Sequence, residues 1–293
     1  MRLVTFRTPS GPHAGLVLEE GPVEDGVVDL TTRLGVPSVR ALLERGLDEA
    51  LAALTAEADL PLDGLELMAP VPDPVHVIGV GLNTHSHAAE VAEWRGTEPE
   101  DPKYPRLFLR SPMSQVGHEG ALWVPRVSRR LDYEGEVAVV IGRHARYLTP
   151  ANALDAVAGF SCYNDASVRD YQSHTNQSTA GKSFPHTGGF GPWLVTRDEA
   201  PAMDELHLRT IVNGELRQEM RADDMIFSIP TLLAYISEVI ALQPGDVVIT
   251  GSPAGNGAIR RQWLVPGDSV EVAIDGVGHL VNRVEAEPET IAG

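Results

Sequence analysis

The stretch Leu131-Asp-Tyr-Glu-Gly-Glu-Val-Ala-Val-Val-Ile-Gly142 sets Asp132, Glu134 and Glu136 at alternate positions and then runs directly into apolar residues. Alternate side chains of a β-strand share a face, so these carboxylates are expected to point the same way. Like charges on a strand entering a core repel one another and lose solvation. A hard divalent cation relieves both costs, and Mg²⁺ takes oxygen ligands in octahedral geometry while keeping waters. A solvated edge strand carrying ordinary surface acids accounts for the same spacing.

A further acid comes at Asn164-Asp165, where the apolar strand Gly159–Tyr163 ends. Asp165 is placed to complete a three-carboxylate site, to cap the helix that follows, or to do both. Arg169 and Gln172 lie beyond it at helical spacing, within reach of a substrate carboxylate or of the ligands themselves.

Other familiar signatures fail. Gly79-Val-Gly81 follows a strand, but Thr84 stands where a dinucleotide fingerprint has its third glycine. Gly181-Lys182 lacks the earlier glycine of a phosphate-binding loop. Ser252 lies in Gly251-Ser-Pro-Ala-Gly255, which is not a nucleophile elbow. His85-x-His87 can hold a metal, although that spacing alone is often incidental.

The elements that must position these residues are mostly strands. Arg2–Phe6, Gly15–Glu19 and Gly26–Leu30 read as short strands, followed by a helix over Ser38–Ala56 with Ser38 as its N-cap. Pro70-Val-Pro-Asp-Pro74 reads as a linker, because prolines restrict themselves and the residue before them. Beyond it, Val75–Val80, Arg106–Leu109, Glu136–Ile141, Gly159–Tyr163, Trp193–Thr196, Arg209–Val212, Val247–Thr250 and Ser269–Ile274 read as strands. A short helix is expected over Asn152–Ala156 and a longer one over Ile229–Ile240. The fold class is therefore mixed α/β and mostly β, with a small N-terminal α+β domain over residues 1–70 and a catalytic domain over 71–293.

Composition excludes several functions. Lys and Arg number 23 against 41 Asp and Glu, a formal net charge of -18, which opposes binding to nucleic acid or to an anionic membrane surface. The one cysteine, Cys162, rules out an internal disulfide and a cysteine-based zinc site and suits a reducing compartment. Met1–Ser10 has no apolar core of a signal peptide, and no apolar run is long enough for a bilayer. A cytoplasmic protein is expected.

Taken together and in order, the segments resemble the fumarylacetoacetate hydrolase family over roughly Val75 to Val284. Gly81-Leu-Asn-Thr-His-Ser-His-Ala-Ala-Glu90 is similar to the family's first glycine–asparagine–histidine–glutamate segment, and Pro105–Pro112 to its substrate-cleft strand. Asp132–Glu136 resembles its metal-binding pair, and Asn164–Gln172 its third ligand region. Gly181-Lys-Ser-Phe184 with Gly191-Pro192 resembles its lysine loop, and Gly245–Gly255 its closing strand and turn. Thr84, Pro185-His186 and Ser252 depart from the commoner residues of that pattern.

The resemblance implies a β-roll or barrel around a metal site, usually as a homodimer. It implies Mg²⁺, or Mn²⁺ or Ca²⁺, on Glu134, Glu136 and Asp165. It further implies Lys182 at the substrate, a lid dyad of His87 and Glu90, and substrate contacts from Arg110, Arg169, Gln172 and Ser252. The substrate would be a small 2-oxo or 1,3-dicarbonyl carboxylate, and the reaction hydrolysis of an acylpyruvate-type C–C bond. Decarboxylation, hydration or isomerisation through the same enolate is the alternative, and a non-catalytic metal-binding relative is a third. His87 and Glu90 stand three apart, so on a helix they face the same way, with Glu90 orienting the imidazole and His87 taking a proton from water. Serine at 252 keeps a hydroxyl for a substrate oxygen.

Overall fold

The computed structural model describes residues 1–19, 25–53 and 57–289. An 11-stranded mixed sheet dominates it, and a five-stranded sheet packs against the larger one. The centre of the large sheet is Gly135–Ile141, paired antiparallel with Val157–Asp165 on one side and with Val247–Ile249 on the other. Every residue of Gly135–Ile141 is buried. Its β-branched run feeds two cores at once. Ala138 and Val140 join a cluster with the N-terminal strands and helices, whereas Val137, Val139 and Ile141 face the helix Ile229–Val239 and the five-stranded sheet. That is the period-2 alternation of a strand covered on both faces.

The N-terminal strands are not detached from this sheet. Arg2–Thr8 pairs with Gly188–Thr196, so Gly11–Glu19 and Asp25–Asp29 extend the sheet outward. The helix expected over Ser38–Ala56 is interrupted. Ser38 does cap Val39–Arg45, accepting from Ala41 N, but Gly46 at φ 102 ends that helix and a second runs Asp48–Ala53. The remainder of the expected span, residues 54–56, lies outside the described residues. Asn152, unlike Ser38, makes no side-chain capping bond. Its side chain accepts from Thr149 N behind it, and Ala153–Ala156 is a single 3-10 turn. Pro70–Pro74 has no regular structure, as its prolines require.

Candidate metal and active site

The carboxylates meet where two central strands end together. Glu136 is the second residue of the buried strand and pairs across to Tyr163, and Asp165 closes the neighbouring strand opposite Gly188. Glu134 lies in the break between two short strands, Leu131–Asp132 and Gly135–Ile141. Its backbone is held in place: Glu134 N donates to Asn164 Oδ1 at 3.0 Å and Glu134 O accepts from Asp165 N at 2.8 Å. Oxygen atoms of Glu134, Glu136 and Asp165 all lie within 4.8 Å of one another, and all three residues are buried. Neither His85 nor His87 belongs to this group. His85 is exposed against Asp101 instead.

Asp132 departs from the expected shared face. The break at Tyr133–Glu134 turns it away from the other carboxylates, and its oxygens accept from Gly257 N at 2.8 Å and Ala258 N at 3.0 Å. Arg169 bridges the two sets, donating to Asp132 at 2.8 Å and to Glu134 at 2.9 Å. Gln172 accepts from Arg169 at 3.0 Å. Asp165 does not cap the following helix Arg169–Gln172, which has no side-chain cap. Its carboxylate is held by Arg110 and Lys182.

The electrostatics explain why this cluster favours a cation. Burial raises Glu136 well above the ordinary carboxylate range, and the neighbouring Asp165 and Glu134 charges push it further. Burial also pushes Glu134 up, but the Arg169 and Lys182 charges more than offset it and hold Glu134 below the ordinary range. Lys182 is 2% exposed. Burial disfavours its charge, yet Asp165 and Glu134 raise its pKa. Its ammonium contacts both Glu134 and Asp165 and lies 4.9 Å from the Phe108 ring centroid. Lys182, Arg110 and Arg169 pair with Glu134 and Asp165, whereas among the described residues no ion pair reaches Glu136, whose Oε2 accepts from Gly251 N at 2.7 Å. Three buried, converging oxygen donors of this kind suit Mg²⁺, Mn²⁺ or Ca²⁺.

The remaining residues line the same space. Thr84 caps the helix His85–Arg95 and also donates to Ser252 O at 2.8 Å. One helical turn then brings His87 Nδ1 within 3.1 Å of Glu90 Oε2, and Glu90 Oε1 accepts from Gly255 N at 2.9 Å. Ser252 Oγ is 3.4 Å from Glu134 Oε1. Arg110 is enclosed. It donates to Ser114 at 2.8 Å, to Thr187 at 2.6 Å and to Asp165 at 2.5 Å. Sequence reasoning missed Ser167, whose hydroxyl donates to Glu134 at 3.0 Å, Asn256, whose amide nitrogen lies 3.3 Å from His87 Nε2 and 3.5 Å from Glu134 Oε1, and Gln218, which donates to Asn256 Oδ1 at 2.9 Å. Gln218 and Asn256 reach the site through contacts between distant segments, for which no local motif exists, and Ser167, although it lies within Asn164–Gln172, bonds Glu134 33 positions away.

Residues 76–285 match the family described as fumarylacetoacetate (FAA) hydrolase C-terminal, and the chain belongs to that family. It is 36% identical over 295 residues to oxaloacetate tautomerase Fahd2a, mitochondrial, of Rattus norvegicus, covering 97% of this chain and 91% of the relative. It is 38% identical over 227 residues to oxaloacetate tautomerase YisK of Bacillus subtilis (strain 168), covering 76% and 74%. The crystal structure of maleylpyruvate hydrolase from Sphingobium sp. SYK-6 in complex with manganese(II) ion and pyruvate superposes with a TM-score of 0.79 at 28% identity, covering 98% of this chain and all of that one. The named relatives are thus both tautomerases and a hydrolase. Membership supports an enzyme of this family with a mostly β fold and does not single out hydrolysis. Among the described residues, no helix is long and apolar enough to cross a membrane.

Proposed function

We propose that this chain is a divalent-metal-dependent enzyme that enolises a small 2-oxo acid, interconverting the keto and enol forms of oxaloacetate. The observation that carries the proposal is the buried triad Glu134, Glu136 and Asp165, with Lys182 and the His87–Glu90 pair beside it. The similarity to two proteins named oxaloacetate tautomerases, over 97% and 76% of this chain, favours this reaction over C–C hydrolysis. The triad would hold Mg²⁺, Mn²⁺ or Ca²⁺, and the bound cation would supply Lewis-acid polarisation of a chelated 2-oxo acid.

The chain's own groups handle the proton. Glu90 accepts from Nδ1 of His87, which leaves Nε2 as the basic nitrogen. His87 takes the C3 proton, the C–H electron pair becomes the C2–C3 double bond, and the carbonyl pair moves onto oxygen. The Lys182 ammonium stabilises that developing negative charge, and returning the proton to oxygen completes the enol. Arg169 holds Glu134 in place and takes part in no proton transfer. The reading includes a homodimeric, cytoplasmic enzyme, following the family resemblance and the single, buried Cys162.

A second reading, cleavage of an acylpyruvate, rests on the same dyad acting on water. Product analysis by NMR separates the two. Tautomerisation is expected to accelerate deuterium entry at C3 of oxaloacetate without fragmenting it. Release of pyruvate from acylpyruvates, with no acceleration on oxaloacetate, would overturn the proposal in favour of hydrolysis.

A further inference from the structure

We propose that Asn256 is a hydrogen-bond donor to the bound 2-oxo acid and that Gln218 is the residue that positions it; this rests on the reading of the site given above. Asn256 immediately precedes the one-turn helix Gly257–Arg260, where asparagine ordinarily caps, yet its side chain makes no capping bond. Asp132 has taken over that role through Gly257 N and Ala258 N. The Asn256 amide, 1% exposed, is thereby released to face the carboxylates.

Its orientation follows from backbone groups whose hydrogen-bonding roles are unambiguous. Gly135 N–H donates to Gln218 Oε1 at 3.0 Å, so the other end of that amide is its amino group. This amino group donates to the Pro253 carbonyl and to Asn256 Oδ1, each at 2.9 Å. Asn256 Nδ2 is therefore the end aimed into the site. It lies 3.4 Å from His87 Nδ1, 3.3 Å from His87 Nε2 and 3.5 Å from Glu134 Oε1. Near-equidistance from both ring nitrogens places it beside the imidazole edge and not on one lone pair. All three contacts are at the long limit of a hydrogen bond. A buried NH₂ without a close acceptor, between the proposed base and a metal-ligating carboxylate, is a donor waiting for a substrate oxygen.

The loop is packed to keep it there. Gly255 has φ +106, and a Cβ on it would sit 2.0 Å from the Arg217 carbonyl oxygen, next to Gln218. Only glycine lets this turn lie directly on the strand Glu215–Arg221.

Oxalate, a planar dicarboxylate resembling the enolised acid, tests the proposal by calorimetry on Mn²⁺-loaded protein. Asn256→Ala is expected to weaken oxalate about 10- to 100-fold, the loss of a hydrogen bond to a charged group, with Mn²⁺ affinity unchanged. Gln218→Leu leaves Asn256 present but unfixed and should weaken oxalate by a smaller factor. The Asn256 side-chain amide NMR resonance, identified by its disappearance in the alanine variant, should shift when oxalate is added. Unchanged oxalate affinity in Asn256→Ala, or an equal loss of Mn²⁺ affinity, would overturn the role of Asn256 while leaving the proposed function standing. Failure of oxalate to bind the unaltered Mn²⁺ protein would overturn both.

Discussion

Replacing Arg110 with methionine separates two roles for that residue. Its side chain and that of Asp165 are both fully enclosed, and its guanidinium also bonds Ser114, Thr187 and the Ala166 carbonyl. Gly188 makes the room, since a Cβ there would lie 2.8 Å from Arg110 Nε. Methionine fills much of the same volume but leaves Asp165 with Lys182 as its one cationic partner among the described residues. Removing one member of a buried pair costs about 3–5 kcal/mol, because the other charge stays desolvated. At roughly 2–4 °C per kcal/mol for a chain of this size, Tm should fall by about 6–20 °C in the presence of chelator. Metal affinity should fall about 10-fold or more, as when a group orienting a ligand is lost. Thermal unfolding followed by circular dichroism, with Mn²⁺ titration of the same variant, measures both. Unchanged Tm and metal affinity, with only KM raised, would refute the reasoning and show that Arg110 works on the substrate.

Other outcomes follow from the same geometry. Protons compete with the cation at Glu136, whose pKa is raised by burial and by Asp165 and Glu134, so metal affinity should climb as pH rises from the ordinary carboxylate range through the raised one. Glu136→Gln should weaken binding and flatten that slope, and calorimetry across the range checks it. His87→Ala should lower kcat about 10²- to 10⁴-fold, the usual contribution of a general base, with metal affinity intact. Deuterium exchange at C3 reads that loss, and equal exchange in both proteins would contradict the assignment. Gly159→Ala should destabilise by about 1–3 kcal/mol in a denaturant titration because strands must part to admit the methyl. Its Cβ would otherwise sit 1.9 Å from the Val195 carbonyl oxygen.

The central strand was legible in the sequence because its apolar run is uninterrupted from Val137 to Ile141 and fully buried. Glu136 and Asp165 were legible for a related reason: each stands at the end of such a run, where a charge needs an explanation. Asp132 was not, because strand alternation holds only while the strand continues, and this one breaks at Tyr133–Glu134. The helix beginning after Ser38 has its cap written locally, whereas its interruption at Gly46 is a tertiary choice that apolar spacing does not reveal. Arg110 lies in a strand that reads as a cleft wall, yet Asp165, 55 positions away, draws it inward. Asn256 carries a capping residue's signature, and only the arrival of Asp132 from a distant strand reassigns it.

The most direct test of the central claim is the rate of oxaloacetate enol loss, followed in the ultraviolet, with chelated protein titrated by Mg²⁺ or Mn²⁺. The account predicts no catalysis in chelator and activity that rises to a plateau at one cation per chain, absent in Glu136→Gln at the same cation concentration. Full activity in chelator, or an unaltered plateau in Glu136→Gln, would contradict it.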